Sequence, residues 1–250
     1  MSDNTAKLAL ITGGMGGLGE ALCRKLAQSG FRVVTTFSSR NTQAQDWLAR
    51  QKADGFDFHA YPMDVTQFES CKVSVANIMA EHGTIEVLVN NAGITRDATL
   101  KKMQLEDWRA VLSTNLDSVF HLSKLVIDGM LEKQWGRIIN ISSVNGQRGA
   151  FGQVNYAAAK AGMHGFTKAL ALEVAKKHIT VNTVSPGYLN TKMVAAIPAE
   201  ILQSKILPEI PVGRLGEPAE VADLVSWLCS DSAAFVTGAN FAINGGQHMY

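Results

Sequence analysis

Cysteine is scarce in this 250-residue chain, and the three present, Cys23, Cys71 and Cys229, stand far apart with no Cys-x-x-Cys spacing. That pattern excludes a disulfide framework and a thiolate zinc site, and it fits a reducing compartment. The six histidines include no His-Glu-x-x-His, and no carboxylate cluster has metal-ligand spacing, so no metal is expected. Charge of one sign is lacking too: 23 basic and 22 acidic residues leave a net charge of +1. Such a balance supplies no field for nucleic acid or a membrane surface. No apolar run is long enough to span a bilayer, and residues 1–7 lead directly into a strand pattern with no leader peptide. A cytoplasmic protein is expected. Linkers, repeats and low-complexity stretches are missing as well, which predicts one domain over residues 1–250.

What is present is an alternation of short apolar runs with longer amphipathic ones, in a chain that is 46% hydrophobic. Strands are predicted at 8–12, 32–36, 58–62, 87–90, 137–142, 180–184 and 240–243. Helices are predicted near 17–29, 42–54, 67–82, 104–131, 153–177 and 218–230. Alternating strand and helix predicts a single-domain α/β fold, a Rossmann-like, doubly wound parallel sheet of about seven strands with helices on both faces. Residues 1–95 would mainly bind a cofactor, and 96–250 would carry catalysis and substrate. Periodicity is weakest at 188–216, where Pro198, Pro208 and Pro211 interrupt it, and this stretch is a candidate lid.

The first predicted strand runs into Thr12-Gly13-Gly14-Met15-Gly16-Gly17-Leu18-Gly19 and then a helix. Glycines there permit a sharp turn and close approach of a pyrophosphate, and the helix N-terminus offers free N–H groups to the anion. A dinucleotide site is therefore expected, with Gly13, Met15, Gly17, Leu18 and Gly19 at its base. An NAD site would want an acid at the end of the second strand, about 20 residues on. The chain instead reads Thr36-Phe37-Ser38-Ser39-Arg40-Asn41, with no acid before Asp46. Ser38 and Arg40 suit a 2′-phosphate, so NADPH/NADP is the expected cofactor, although Arg40 also reads as an ordinary solvated loop charge.

Tyr156 and Lys160 lie one helical turn apart on one face. An ordinary phenol, with a pKa near 10, is a poor proton donor at neutral pH. A neighbouring cation is expected to lower it towards the working range. Asn115 sits mid-helix, where Asn is a poor helix former and also reads as a core or capping residue. Ser142 and Ser143 compete at the end of the fifth strand.

Taken with Asn90-Asn91-Ala92-Gly93 and with Pro186-Gly187 ahead of Thr191, these motifs resemble the short-chain dehydrogenase/reductase family over essentially the whole chain. The resemblance implies a catalytic tetrad of Asn115, Ser143, Tyr156 and Lys160. Tyr156 would be the proton donor to a ketone, and Ser143, thirteen residues before it, would hold the ketone oxygen. Lys160 would tune Tyr156 and hold the nicotinamide ribose, while Asn115 would hold a relay water. The resemblance also implies that Asp64 and Val65 contact adenine, that Asn91, Ala92, Gly93, Pro186 and Gly187 line the cofactor, and that Thr191 binds the carboxamide. It further implies a homotetramer packed through the two long helices.

Within that family, the segment from Ser143 to Tyr156, the stretch Asn91-Ala92-Gly93-Ile94-Thr95-Arg96-Asp97 and the Asn244-Gly245-Gly246-Gln247-His248-Met249 tail are similar to acetoacetyl-CoA reductases of polyhydroxybutyrate synthesis. An acyl-CoA partner follows, with Ser143, Gln147, Phe151, Gln153, Tyr156 and Tyr188 expected to line the substrate pocket. Ala150 departs from the pattern, where such an enzyme carries Gln. The close alternative is a 3-oxoacyl-(acyl-carrier-protein) reductase. Those enzymes dock an acidic carrier through Arg at two helix positions, aligned here with Gln134 and Leu172. A catalytically silent dinucleotide-binding module is a further alternative, against which the retained Tyr156 and Lys160 speak.

Overall fold

The computed structural model describes residues 6–195 and 197–249. Seven strands, β1 (Leu8–Ile11), β2 (Arg32–Phe37), β3 (His59–Pro62), β4 (Ile85–Asn90), β5 (Gly136–Ile141), β6 (Ile179–Pro186) and β7 (Asn240–Ile243), form one sheet in the order β3-β2-β1-β4-β5-β6-β7. Every pairing is parallel. All residues of β1, β5 and β6 are buried because both sheet faces are covered; β1 accordingly reads as a continuous apolar run, whereas β6 also buries Thr180, Asn182, Thr183 and Ser185.

The helices are α1 (Gly17–Gln28), α2 (Ala44–Ala53), α3 (Phe68–His82), α4 (Leu105–Leu112), α5 (Ser118–Lys133), α6 (Val144–Arg148), α7 (Val154–Val174), α8 (Lys192–Ala195), α9 (Ala199–Ile201) and α10 (Pro218–Cys229). On one face Leu22 and Leu26 of α1, Trp47 of α2 and Val221, Val225 and Leu228 of α10 pack on Ile11, Val89 and Ile139. On the other, Cys71, Val75 and Ile78 of α3, Leu122, Val126 and Met130 of α5 and Ala171 and Val174 of α7 cover Leu10, Leu88 and Ile138. The chain runs outward from β1 to β3 and then returns to set β4 on the other side of β1. At that reversal the loops leaving β1 and β4 diverge, and a crevice opens at the carboxyl ends of the strands.

Three local features differ from the sequence expectation. The helix expected over 104–131 is interrupted by a π-helical turn, Ser113–Asp117, between α4 and α5. Helix α6 was not anticipated, because five residues are too few to show a period. Its signal is instead the cap, where Ser143 Oγ accepts from Asn145 N at 3.1 Å. The segment 188–216 folds as α8, α9, a π turn (Leu202–Ile206) and a 3₁₀ turn (Leu207–Glu209), closed by a bridge between Leu189 and Gly216. Ala196 of the candidate lid lies outside the described residues. Among the described residues no helix is long and apolar enough to cross a membrane, and no group of three metal-ligating side chains occurs.

Candidate active site

The glycine-rich turn joins β1 to α1 at the crevice. Thr12 Oγ1 accepts from the backbone N–H groups of Asn91 and Ala92, each at 3.0 Å, and so ties this turn to the loop after β4. Gly14 N donates to Thr35 Oγ1 at 3.0 Å, which joins β2 to the same knot. A methyl at Gly19 would overlap the carbonyl oxygen of Gly13, so α1 can begin this close to the strand end only with glycine there. The turn therefore presents backbone, rather than side chains, to a cleft of about 1780 Å³.

That cleft gathers residues from every strand end between β2 and β6. Gly13, Met15, Gly17, Leu18 and Gly19 form its floor, with Thr191 against Gly17. Ser38 and Arg40 line its outer end, and Asp64 and Val65 the adjoining wall. Asn91, Ala92, Gly93, Pro186 and Gly187 line its middle, and Ser143, Gln153, Tyr156, Lys160 and Tyr188 the inner end. At the outer end the one nearby carboxylate from α1, Glu20, is engaged by Trp47 Nε1 at 2.8 Å, Arg24 at 3.3 Å and Arg50 at 3.2 Å. The Ser38 hydroxyl accepts from Arg40 N at 3.3 Å, holding this loop as a short turn. A cleft of this kind, with a glycine-rich floor at a helix N-terminus and a cationic outer end, fits a dinucleotide.

At the inner end α7 carries Tyr156 and Lys160. Lys160 is almost fully buried, and its Nζ donates to the Ile141 carbonyl at 2.7 Å. Burial pushes its pKa down to about 7. Tyr156 moves the other way, to about 12, chiefly through burial. The Ser143 hydroxyl opposes that rise, while Asp97 and Tyr188 add to it. The expectation that Lys160 holds the phenol below its ordinary value is therefore corrected. Desolvation dominates at the phenol, and the same dry environment disfavours the charge on Lys160 itself. At neutral pH the phenol carries its proton.

Asn115 sits fully buried in the π turn and does not line the cleft. Its Oδ1 accepts from Ile94 N at 2.9 Å and its Nδ2 donates to Ile94 O at 2.8 Å. A methyl placed on Gly93 would lie 2.6 Å from Asn115 Oδ1 and 3.6 Å from Lys160 Nζ, so the two functional groups flank one glycine. A π turn at such a point re-aims a helix at a functional site. The poor helix former thus marks a clasp on the β4 loop.

Two expected substrate residues are not brought to the cleft. Phe151 is 95% exposed, and Gln147 is absent from the cleft wall. The loop between α6 and α7 passes through Gly149 at φ +75° and Gly152 at φ +79°, which turns the Phe151 side chain outward. Phe151 therefore does not line the cleft in the folded chain. Sequence reasoning also missed a polar chain across the cleft mouth: Asn145 Nδ2 donates to Gln153 Oε1 at 3.0 Å and Gln153 Nε2 to Asp97 at 2.8 Å. Its members come from α6, the start of α7 and the β4 loop, so no sequence spacing could reveal it. Of the competing serines, Ser142 is committed to the interior, donating to the Lys160 carbonyl at 2.9 Å, whereas Ser143 Oγ acts on Tyr156.

Comparison with known proteins agrees with this geometry. The family model described as short chain dehydrogenase matches residues 7–201. An acetoacetyl-CoA reductase of Cupriavidus necator is 54% identical over 98% of this chain and 99% of its own length. One from Allochromatium vinosum is 49% identical over 98% of this chain and the whole of its own. A 3-oxoacyl-[acyl-carrier-protein] reductase of Pseudomonas aeruginosa is 45% identical over 97% of this chain and 98% of its own. With a match that runs from β1 into the segment after β6 and joins the glycine-rich turn to the Tyr156–Lys160 helix, the chain belongs to the short-chain dehydrogenase family.

Proposed function

We propose that this protein reduces the 3-keto group of acetoacetyl-CoA to (R)-3-hydroxybutyryl-CoA with NADPH, the step that supplies polyhydroxybutyrate synthesis. The observation that carries the reading is the inner end of the cleft, where a half-buried Tyr156, whose pKa is raised so that it keeps its proton, stands beside Ser143 and Lys160. A bound nicotinamide would supply the hydride. Ser143 holds the ketone oxygen by donating its hydroxyl proton, and Tyr156 Oη delivers a proton to that oxygen as it gains charge. Lys160, within reach of the phenol ring, stabilises the phenolate left behind. Asn115, by clasping Ile94, keeps the β4 loop in place beside Lys160.

The residues fit the cofactor. The floor glycines leave backbone N–H groups that would take its pyrophosphate, Asp64 and Val65 would hold its adenine, and Asn91, Ala92, Gly93, Pro186, Gly187 and Thr191 would hold its nicotinamide half. NADP(H) over NAD(H) is supported by Ser38 and Arg40 where an NAD site would carry an acid. The acyl thioester would lie between Gln153 and Tyr188, with the 188–216 segment as its lid.

Coenzyme A rather than a carrier protein is supported by the surface of the two long helices. Gln134, an exposed left-handed cap with φ 51°, and Leu172, 86% exposed, offer no cation to an acidic carrier. The exposed apolar residues Phe120 and Val154 on α5 and α7 support a homotetramer packed through those helices, in a cytoplasmic protein. Light scattering that returns a monomer would refute the assembly. The function is tested by NADPH oxidation with acetoacetyl-CoA, with longer 3-ketoacyl carrier-protein thioesters and with free ketones. Preference for acetoacetyl-CoA is expected, and preference for long chains on carrier protein would establish a fatty-acid-synthesis reductase instead.

A further inference from the structure

One turn beyond Lys160, the half-buried ring of His164 points at the sheet rather than at the cleft. Its Nε2 lies 3.0 Å from Ser142 Oγ and 3.4 Å from Ser185 Oγ. Each serine has a single hydroxyl proton, and both are spent elsewhere. Ser142 Oγ donates to the Lys160 carbonyl at 2.9 Å, and Ser185 Oγ donates to Asn240 Oδ1 at 2.7 Å. Two acceptors facing one ring nitrogen require that nitrogen to carry the hydrogen. The ring is therefore the Nε2–H tautomer when neutral, shared between the end of β5 and β6.

We propose that His164 is a positioning residue for the catalytic tetrad, acting through Ser142. Ser142 links its acceptor, the Lys160 carbonyl on α7, to its covalent neighbour, Ser143, and its own backbone N–H is fixed to Val184 O at 2.7 Å. Holding Ser142 Oγ from below fixes the spacing between α7, which carries Tyr156, and the strand end, which carries Ser143. Neutral-pH conditions keep the device intact, because burial and Lys168 both lower the affinity of His164 for a second proton. Around it stand Ser142, the residue after β5, Ser185 of β6 and Asn240 of β7, all uncharged, and α7 supplies Lys160 and Lys168. Around the phenol stand Ser143, Asp97, Tyr188 and Lys160. This inference rests on the proposed role of Tyr156 and Ser143.

The test has two arms. In the first, ¹⁵N-histidine-labelled protein is followed by NMR from about pH 7 to 9, above the ordinary imidazole range, with His164 assigned by its loss in His164→Gln. A persistent Nε2–H tautomer is expected, and an Nδ1–H tautomer overturns the proposal. In the second, wild type, His164→Leu and His164→Gln are compared on whichever ketone and alcohol the wild type turns over. The Leu variant should lose about tenfold in kcat with KM little changed, short of the 100-fold that a misplacement of ~1 Å brings. With Ser143 loosened, the phenol loses what lowers its pKa, so the rising limb of alcohol oxidation should move to higher pH. Gln presents a side-chain N–H donor and should restore most of both properties. A folded Leu variant with wild-type kcat and pH profile overturns the proposal, as does a loss that Gln does not repair. Wild type that ignores acetoacetyl-CoA but turns over another ketone refutes the substrate reading alone.

Discussion

The ammonium nitrogen of Lys160 stands 5.6 Å from the centroid of the Tyr156 ring, with its strongest contact, at 2.7 Å, made to the Ile141 carbonyl instead. The lysine is thus anchored to the strand end first and faces the phenol second. An anchored cation beside a ring responds to charge appearing on the phenol without having to move, which is where preorganised electrostatic stabilisation has its effect.

Removing only the phenolic hydroxyl tests the proton donor. Tyr156→Phe keeps the ring and the packing of α7, so turnover should fall by about 10²–10⁴-fold while NADPH binding survives. Steady-state kinetics and cofactor fluorescence titration measure the two separately. Near-normal turnover would remove Tyr156 from the mechanism.

Lys160 also makes stability depend on pH. Its pKa is about 7 when folded and near 10.5 when exposed, so between these values the unfolded chain binds more protons than the native one. Burying this amine therefore costs stability that is fully present below about pH 7 and is relieved progressively as pH rises from 7 to 10.5. Thermal melts between pH 7 and about 9, below the ordinary phenol range, should rise more steeply for wild type than for Lys160→Met. Parallel curves would mean that the buried amine is not desolvated.

Cofactor choice should turn on the outer end of the cleft. Arg40→Ala should weaken NADPH by about 1.5–3 kcal/mol, the range for a hydrogen bond to a charged group, and NADH far less. Ser38→Asp should shift preference towards NADH by repelling the 2′-phosphate. Equal losses for both cofactors in competitive binding would show that Arg40 does not read the phosphate.

The Asn115 clasp predicts a mixed phenotype. Asn115→Ala leaves the half-buried Ile94 N–H and carbonyl without their partners, and stability should fall, for each group by at most the cost of a fully buried unsatisfied one, about 1–3 kcal/mol. Turnover should fall as well, since the β4 loop beside Lys160 loosens. Chemical denaturation and kinetics together check this, and loss of activity at unchanged stability would place the role of Asn115 elsewhere.

The strand and helix order was legible in the sequence because burial on two sheet faces writes itself as apolar runs, and amphipathic helices as a 3.6-residue period. The glycine-rich turn and the Tyr156–Lys160 pair were legible because each is a local requirement, one of backbone space and one of a single helix face. The doubly wound parallel sheet followed from the alternation of elements. What lay beyond reach comes from residues distant in the chain. His164 meets Ser142 and Ser185, Asn115 clasps Ile94, and Gln153 joins Asn145 to Asp97 only after the sheet and α7 have packed. The outward turn of Phe151 was set by backbone angles at two glycines, which a residue name does not disclose. The charge states of Tyr156 and Lys160 were decided the same way: spacing brings a phenol and an amine together, but only the burial of both in the folded protein determines which way each pKa moves.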